Sequence, residues 1–373
     1  MRGGVSGGNG LGNGSGAGNG LGSGMGRGGT GLGAGGGGAG RNWASWVSPA
    51  ASAGRSSHAA AKTSHLRPTA GILHGDAVRW LREVSMSIVL ITGTSSGIGL
   101  ATALHFARRG HEVWAGLRSP ATAGELTQAI GQEKLPIRPV ALDVDDEASV
   151  TRGVGEVLGT AGRVDVLVNN AGIGGGGPIE EVPVEWAKTL FETNYFGAIR
   201  MIRAVLPGMR ARGSGAIVNV SSVAGRFVPA GHGHYAAVKH ALEAASEALA
   251  QEVQAFGIRV ALIEPGLVLT PIFTKARRFA DPASPYFYHL QRLLLGYQMQ
   301  RKTPSLPEDV AAVIEEAVTA PAPRLRYLVG EDACRLVAGR QRQSDEEFIA
   351  TGRPMSEAEY LALMRERYGF DWR

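Results

Sequence analysis

Three observations predict an α/β fold, an open, doubly wound parallel sheet with helices on both faces. After Met86, short β-branched runs alternate with longer helical patterns, and that alternation means βαβ units around a parallel sheet. The first run, Ile88-Val89-Leu90-Ile91, reads as a buried strand. A glycine-rich turn, Thr92 to Gly99, joins it to the first helical pattern.

The elements follow in order. Ile98–Arg109 reads as a helix stopped by Gly110, and His111–Gly116 as a second strand. Then come a helix around Ala121–Ile130, a strand at Ile137–Leu142, a helix at Ala148–Leu158 and a strand at Val164–Val168. Pro183 to about Arg212 is one long helical pattern, with a kink expected at Pro207. Gly215–Val220 reads as a strand, Tyr235–Phe256 as a long helix, Ile258–Ile263 and Arg326–Val329 as strands. No internal repeat is visible. The reading is a single Rossmann-type domain over 86–373.

The 85 residues ahead of it are of another kind. Residues 1–40 contain 22 glycines and almost nothing apolar to bury, so this Gly/Ala/Ser-rich leader is expected to be disordered. Met86 opens the first strand directly and is expected to be the natural start of translation. Composition supports the split. The chain of 373 residues has a net charge of +5. Residues 1–85 hold eight basic and two acidic side chains, and 86–373 hold 30 and 31, so the folded part makes no case for nucleic acid. One cysteine, Cys334, excludes a disulfide scaffold and fits a reducing, cytoplasmic setting. Ser87 to Ala107 carries no formal charge, but the turn residues at its centre argue against a membrane span. No His/Asp/Glu spacing suggests a metal.

The turn Thr92-Gly93-Thr94-Ser95-Ser96-Gly97-Ile98-Gly99 sits where backbone N–H groups and a helix's positive end meet a pyrophosphate. Gly93 permits the tight turn, Gly97 lets the backbone approach the phosphates, and Gly99 lets helix and strand pack closely. Its TGxxxGxG spacing is followed by Asp143-Val144, Asn169-Asn170-Ala171-Gly172, Asn194, Ser221-Ser222, Tyr235-Ala236-Ala237-Val238-Lys239 and Pro265-Gly266-Leu267-Val268-Leu269-Thr270. In that order, over about 86–271, these residues resemble the short-chain dehydrogenase/reductase family, nearest in look to its retinol and hydroxysteroid dehydrogenases.

Tyr235 and Lys239 are four apart on a predicted helix, so both lie on one face. An ammonium beside a phenol favours the phenolate. Bringing a phenol from about 10 to about 7 represents about 4 kcal/mol of differential stabilisation and makes proton exchange efficient near neutral pH. The resemblance implies that Tyr235 is the general acid in reduction and the base in oxidation. It implies that Lys239 tunes Tyr235 and binds the nicotinamide ribose, that Ser222 holds the substrate oxygen, and that Asn194 supports a bent helix and a water leading to Lys239. Ser221 is the neighbouring alternative, and the thirteen-residue gap to Tyr235 favours Ser222.

NAD-binding units usually place an acid at the end of the second strand. Here that strand ends Leu117-Arg118-Ser119, and a guanidinium suits a 2′-phosphate. NADP(H) is therefore the expected cofactor, with NAD(H) the second choice. The plain alternative is a solvated arginine. By the resemblance, Ser95, Ser96 and Ile98 belong to the cradle with its glycines. Asp143 and Val144 meet the adenine side, Asn170 the ribose region, and Val268 and Thr270 the nicotinamide carboxamide. Asp143 as a helix N-cap is the alternative.

Pro271–Tyr297 is rich in Phe, Tyr and Leu and reads equally as a lid over a lipophilic alcohol or carbonyl substrate or as core packing. Arg277-Arg278, His232 and His234 read first as solvated surface and His105 as structural. The charged helical tail after Gly330 reads as a cover for the pocket or for a partner subunit. The family's compact members pair through helices corresponding to 184–211 and 235–256, which implies a homodimer or homotetramer. The expected function is an NADP(H)-dependent oxidoreductase interconverting a secondary alcohol and a ketone, or alcohol and aldehyde. The competing reading is a non-catalytic dinucleotide sensor on the same fold, which has no need of a tuned phenol.

Overall fold

The computed structural model describes residues 86–301 and 304–370; the leader 1–85 lies outside the described residues. The chain runs β1 (Ile88–Thr92), α1 (Gly97–Arg108), β2 (Glu112–Leu117), α2 (Gly124–Glu133), β3 (Ile137–Ala141), α3 (Glu147–Ala161) and β4 (Val166–Asn169). A two-residue strand β5 (Gly175–Gly176) and α4 (Val184–Phe191) lead through a π-helical turn (Glu192–Phe196) into α5 (Gly197–Arg212). Then come β6 (Gly215–Val220), α6 (Gly233–Val253), β7 (Ile258–Pro265), α7 (Ile272–Lys275), β8 (Arg277–Arg278) and α8 (Phe287–Gln300). The chain closes with α9 (Pro307–Thr319), β9 (Arg326–Val329), α10 (Glu331–Gln341), α11 (Asp345–Ile349) and α12 (Glu357–Tyr368).

Seven parallel strands form the main sheet in the order β3-β2-β1-β4-β6-β7-β9. β1 shows why the strands are apolar throughout: Val89 and Ile91 enter one buried cluster with Phe106 of α1 and Ile314 of α9. Ile88 and Leu90 enter the other, with Val154 of α3, Met201 of α5 and Leu249 of α6. Successive side chains point to opposite faces, and both faces are covered. The winding reverses between β1 and β4, and the crevice at such a reversal is where a doubly wound sheet binds ligands.

Two expectations need correction. The pattern from Pro183 to Arg212 is two helices joined by a π-helical turn. Pro207 lies inside α5, so the irregularity falls at Asn194 and not at the proline. The helix α9 was not anticipated. Its signals are present: Pro307 at the start, Glu308 and Asp309 in the first turn, and Val310, Ile314, Ala317 and Val318 on the buried face. Among the described residues no helix is long and apolar enough to cross a membrane.

Candidate active site

The cradle is made of backbone. Gly93 and Gly97 have φ of +73° and +59°, left-handed values at which a side chain is strained. Gly99 is constrained by space: a Cβ there would lie 2.3 Å from the Gly93 carbonyl oxygen. Ser96, before α1, makes no side-chain cap, and no acid stands in the first turn. The first N–H groups and the positive helix end therefore open toward an anion. Ser95 is exposed beside them, and Ser96 and Ile98 are partly buried. A pyrophosphate fits this cradle.

The loop after β4 clamps the cradle from below. Thr92 Oγ1 accepts from the backbone N–H of Asn170 and of Ala171, both at 3.0 Å. The Asn170 side-chain amide donates to the carbonyls of Thr92 (2.9 Å) and Gly93 (3.1 Å). Those amide hydrogens are spent on the cradle. Deeper down, Asn169 donates to Asn219 and Asn219 to Ser246, each at 2.8 Å. This buried polar chain ties β4, β6 and α6 together, and only its first member stood in a sequence motif.

At the far end of the cleft, Arg118 follows β2 and is exposed. Its charge reaches Asp145, whose carboxyl is pushed up chiefly by burial and pulled back in part by Thr193 and by Arg118. Asp143 does not cap a helix: Asp146 caps α3 through the N–H groups of Ala148 and Ser149. Asp143 instead accepts from Asp145 N–H at 3.2 Å. Val144 is buried against Gly197, where a Cβ would come within 2.8 Å of Val144 Cγ2.

The chemistry-bearing side chains converge at the start of α6. Ser222, just after β6, takes the Ala224 N–H at 3.1 Å and borders the same cavity as Tyr235, its hydroxyl opposing the upward push on the phenol. Ser221 borders the same cavity, its hydroxyl buried without a partner among the described residues. Lys239 is buried and donates to the Val220 carbonyl at 2.9 Å, with Nζ 5.7 Å from the Tyr235 ring centre. Asn194 sits in the π-helical turn. Its amide donates to Leu190 (2.9 Å) and Ile173 (3.1 Å) carbonyls, while its buried Oδ1 has no partner among the described residues. Asn194 thus combines an irregular helix turn with a free acceptor.

The electrostatics differ from the expectation of a lowered phenol. Burial pushes Tyr235 up to about 12, and the only opposing contact is the Ser222 hydroxyl. Lys239 is itself pulled down to about 8 by burial, with Glu243 opposing. The ammonium's hydrogen bond goes to a backbone carbonyl and not to the phenol, so the pairing inferred from four-residue spacing is not a direct contact. Spacing reports which face a side chain occupies; it does not report desolvation.

His232 also departs from the surface reading. Its ring stacks on Tyr235 with centroids 4.7 Å apart at 10°, Nδ1 lies 3.4 Å from the Tyr297 hydroxyl, and burial pulls it down to about 4. His234 Nε2 is buried with no partner among the described residues. His105 is structural as read, meeting Glu315 at 2.9 Å. The two adjacent arginines separate: Arg277 lies over the rings of Trp186 and Phe279, while Arg278 lines the cavity.

A cavity of about 230 Å³ opens from Ser222 and Tyr235. Val268, buried, and Thr270 stand at its cradle end, and Thr270 lies 3.1 Å from where a Gly97 Cβ would be. Its apolar wall includes Phe227, Leu290 and Leu293, with Leu336 of α10 and Met364 of α12. Arg292 of α8 donates to the carbonyls of Arg353 (2.9 Å) and Met355 (3.0 Å), which bolts the 271–297 segment to the tail. Among the described residues no group of three or more His, Cys, Asp or Glu is placed to hold a metal.

The model of the short chain dehydrogenase family matches residues 87–281. The chain is 37% identical over 260 residues to 17-beta-hydroxysteroid dehydrogenase type 1 of Homo sapiens, covering 66% of this chain and 79% of that protein. It is 37% identical over 250 residues to retinol dehydrogenase 8 of Bos taurus, covering 64% and 80%. The crystal structure of a short-chain dehydrogenase from Streptomyces avermitilis superposes with a TM-score of 0.64 at 35% identity, over 72% of this chain and 96% of that one. The glycine cradle, the parallel sheet and the Ser222, Tyr235 and Lys239 cluster thus stand together in a chain that belongs to the short-chain dehydrogenase family of oxidoreductases.

Proposed function

We propose that the protein is an NADP(H)-dependent reductase or dehydrogenase of a lipophilic ketone or aldehyde and its alcohol. The observation that carries this reading is Ser222 beside Tyr235 at the mouth of an apolar cavity, with buried Lys239 one helical turn on. The nicotinamide, when bound, supplies or takes the hydride. Ser222 holds the substrate oxygen, and Tyr235 gives its hydroxyl proton to that oxygen in reduction and takes it back in oxidation. A phenol that keeps its proton, as burial makes this one do, is the form that donates. In this reading Lys239 binds the ribose and Val268 the carboxamide, and the partnerless Asn194 Oδ1 supports a proton path toward Lys239.

The second strand supports NADP(H): Arg118 follows it and no carboxylate ends it. The residues 271–297 serve as the lid, and α10 and α12 as the far wall, for a substrate lipophilic along its length. Exposed Val184 and Phe196, on and just after α4, support a homo-oligomer formed through the helices at 184–211 and 235–256. The single, exposed Cys334 fits a reducing compartment such as the cytoplasm. A non-catalytic sensor would not need the Ser222–Tyr235 contact. The test is oxidation of NADPH and of NADH over a panel of ketones, aldehydes, retinoids and steroids. Turnover with a clear NADPH preference is expected. No turnover on any carbonyl would overturn the enzyme reading, and an NADH preference would overturn the cofactor assignment.

A further inference from the structure

One helical turn past Lys239 the buried face of α6 carries a second charged residue, Glu243, and opposite it on β7 stands Glu264. Both are deeply buried, at 5% and 0% exposure. The charged groups facing them are Arg226 from the turn after β6, Arg326 from β9, and Lys239 and Glu247 from the same helix. Arg326 Nε donates to Glu243 Oε2 at 2.9 Å and lies 3.4 Å from Glu264 Oε1; Arg226 reaches Glu264 Oε1 at 3.3 Å. The remaining oxygens, Glu243 Oε1 and Glu264 Oε2, are buried with no donor among the described residues. The two carboxyls thus meet at one guanidinium nitrogen, Arg326 Nε, and Glu243 raises the Glu264 carboxyl. Gly225 makes the room: a Cβ there would fall 2.9 Å from Glu243 Cγ.

Two ionised carboxylates that near each other in a dry site repel, and a single proton between them removes the repulsion and gives an orphaned acceptor its donor. We propose that Glu243 and Glu264 share one proton, and that the charge left on the pair keeps Lys239 an ammonium, making both glutamates positioning residues for the proton-transfer site. Its catalytic meaning rests on the reading of Tyr235 and Lys239 given above. Burial pulls Lys239 toward neutrality, and Glu243 is the one group that opposes it. Glu264 is pushed up to about 7, first by burial and then by Glu243. As pH rises through that value the pair gains its second negative charge, and it does so where the ammonium would otherwise begin to be lost.

Two measurements test this without requiring turnover. The first is the unfolding midpoint of the wild type and Glu264→Gln from pH 5 to 8.5. A carboxyl raised in the folded state contributes stability that is full below its unfolded value near 4.5 and is lost as pH rises through about 7. Gln has no proton to lose, so the midpoint of the variant should climb relative to wild type across this window and then level off. A difference that does not change with pH overturns the shared proton. The second is the pH dependence of Lys239 acetylation by trace acetic anhydride, read by mass spectrometry. Glu243→Gln should lower the apparent Lys239 value by about one pH unit, and Glu264→Gln should lower it too. An unmoved Lys239 in both variants overturns the positioning role. With an active substrate, the alkaline limb of kcat/KM in Glu243→Gln should move down in step with Lys239, with the NADPH KM within about twofold; a uniform loss at all pH values would mean a structural role only. Absence of turnover in wild type would count against the reductase reading while leaving both measurements decisive for the pair.

Discussion

The dinucleotide cradle and the substrate wall open onto one cavity and are made of opposite materials. The cradle is backbone: glycines at 93, 97 and 99, an uncapped helix start, and carbonyls pinned by Asn170. The wall is side chains from segments far apart in the chain, with Phe227 after β6, Leu293 on α8, Leu336 on α10 and Met364 on α12. A backbone cradle serves any dinucleotide phosphate and tolerates almost no added atom. An apolar wall reads shape through many interchangeable contacts, each small. In the proposed reaction the first would fix what is common to every turnover, and the second would tell substrates apart.

Substitutions can break this contrast or sharpen it. Tyr235 stands between the two regions, so Tyr235→Phe should lower kcat at least about a hundredfold on every substrate, with NADPH binding by fluorescence titration nearly unchanged. Turnover near normal would remove the proton-transfer role from this residue. Gly99→Val puts atoms where a Cβ alone would lie 2.3 Å from the Gly93 oxygen. It should weaken NADPH binding at least about tenfold and destabilise the fold by about 1–3 kcal/mol. Arg118→Ala should cut the ratio of kcat/KM for NADPH over NADH about tenfold, the scale of one lost charge-assisted contact, while leaving the substrate KM alone. The smallest effect belongs to the wall: Leu293→Ala should raise the KM for a lipophilic carbonyl about three- to tenfold and leave NADPH affinity within error. If Leu293→Ala weakened NADPH as much as Gly99→Val, the two regions would not be the separate devices described.

Parts of the site were legible because their signals are short-range. The thirteen-residue gap favours Ser222 over Ser221; both serines border the cavity, and the Ser222 hydroxyl is the one that acts on the Tyr235 phenol. The strands at 215–220 and 326–329 fall at the residues read from the chain. Others were not. His232 looked like a loop histidine until Tyr235 and Tyr297 closed over it. Arg277 and Arg278 are both exposed, as read, but the stacking of Arg277 over Trp186 and Phe279 is visible only in the fold. The helix α9 was overlooked although its capping and spacing were readable.

Periodicity, glycine placement and the Tyr235–Lys239 interval are properties of a few consecutive residues, so the chain by itself determined the doubly wound sheet and the phosphate turn and named the side chains proposed to react. Desolvation is a property of everything packed around a group. Only the folded molecule decided that the phenol is held up, that Lys239 bonds a carbonyl, and that Glu243 of a helix and Glu264 of a strand meet at Arg326. Those outcomes depend on atoms brought from distant parts of the sequence, and no local pattern carries them.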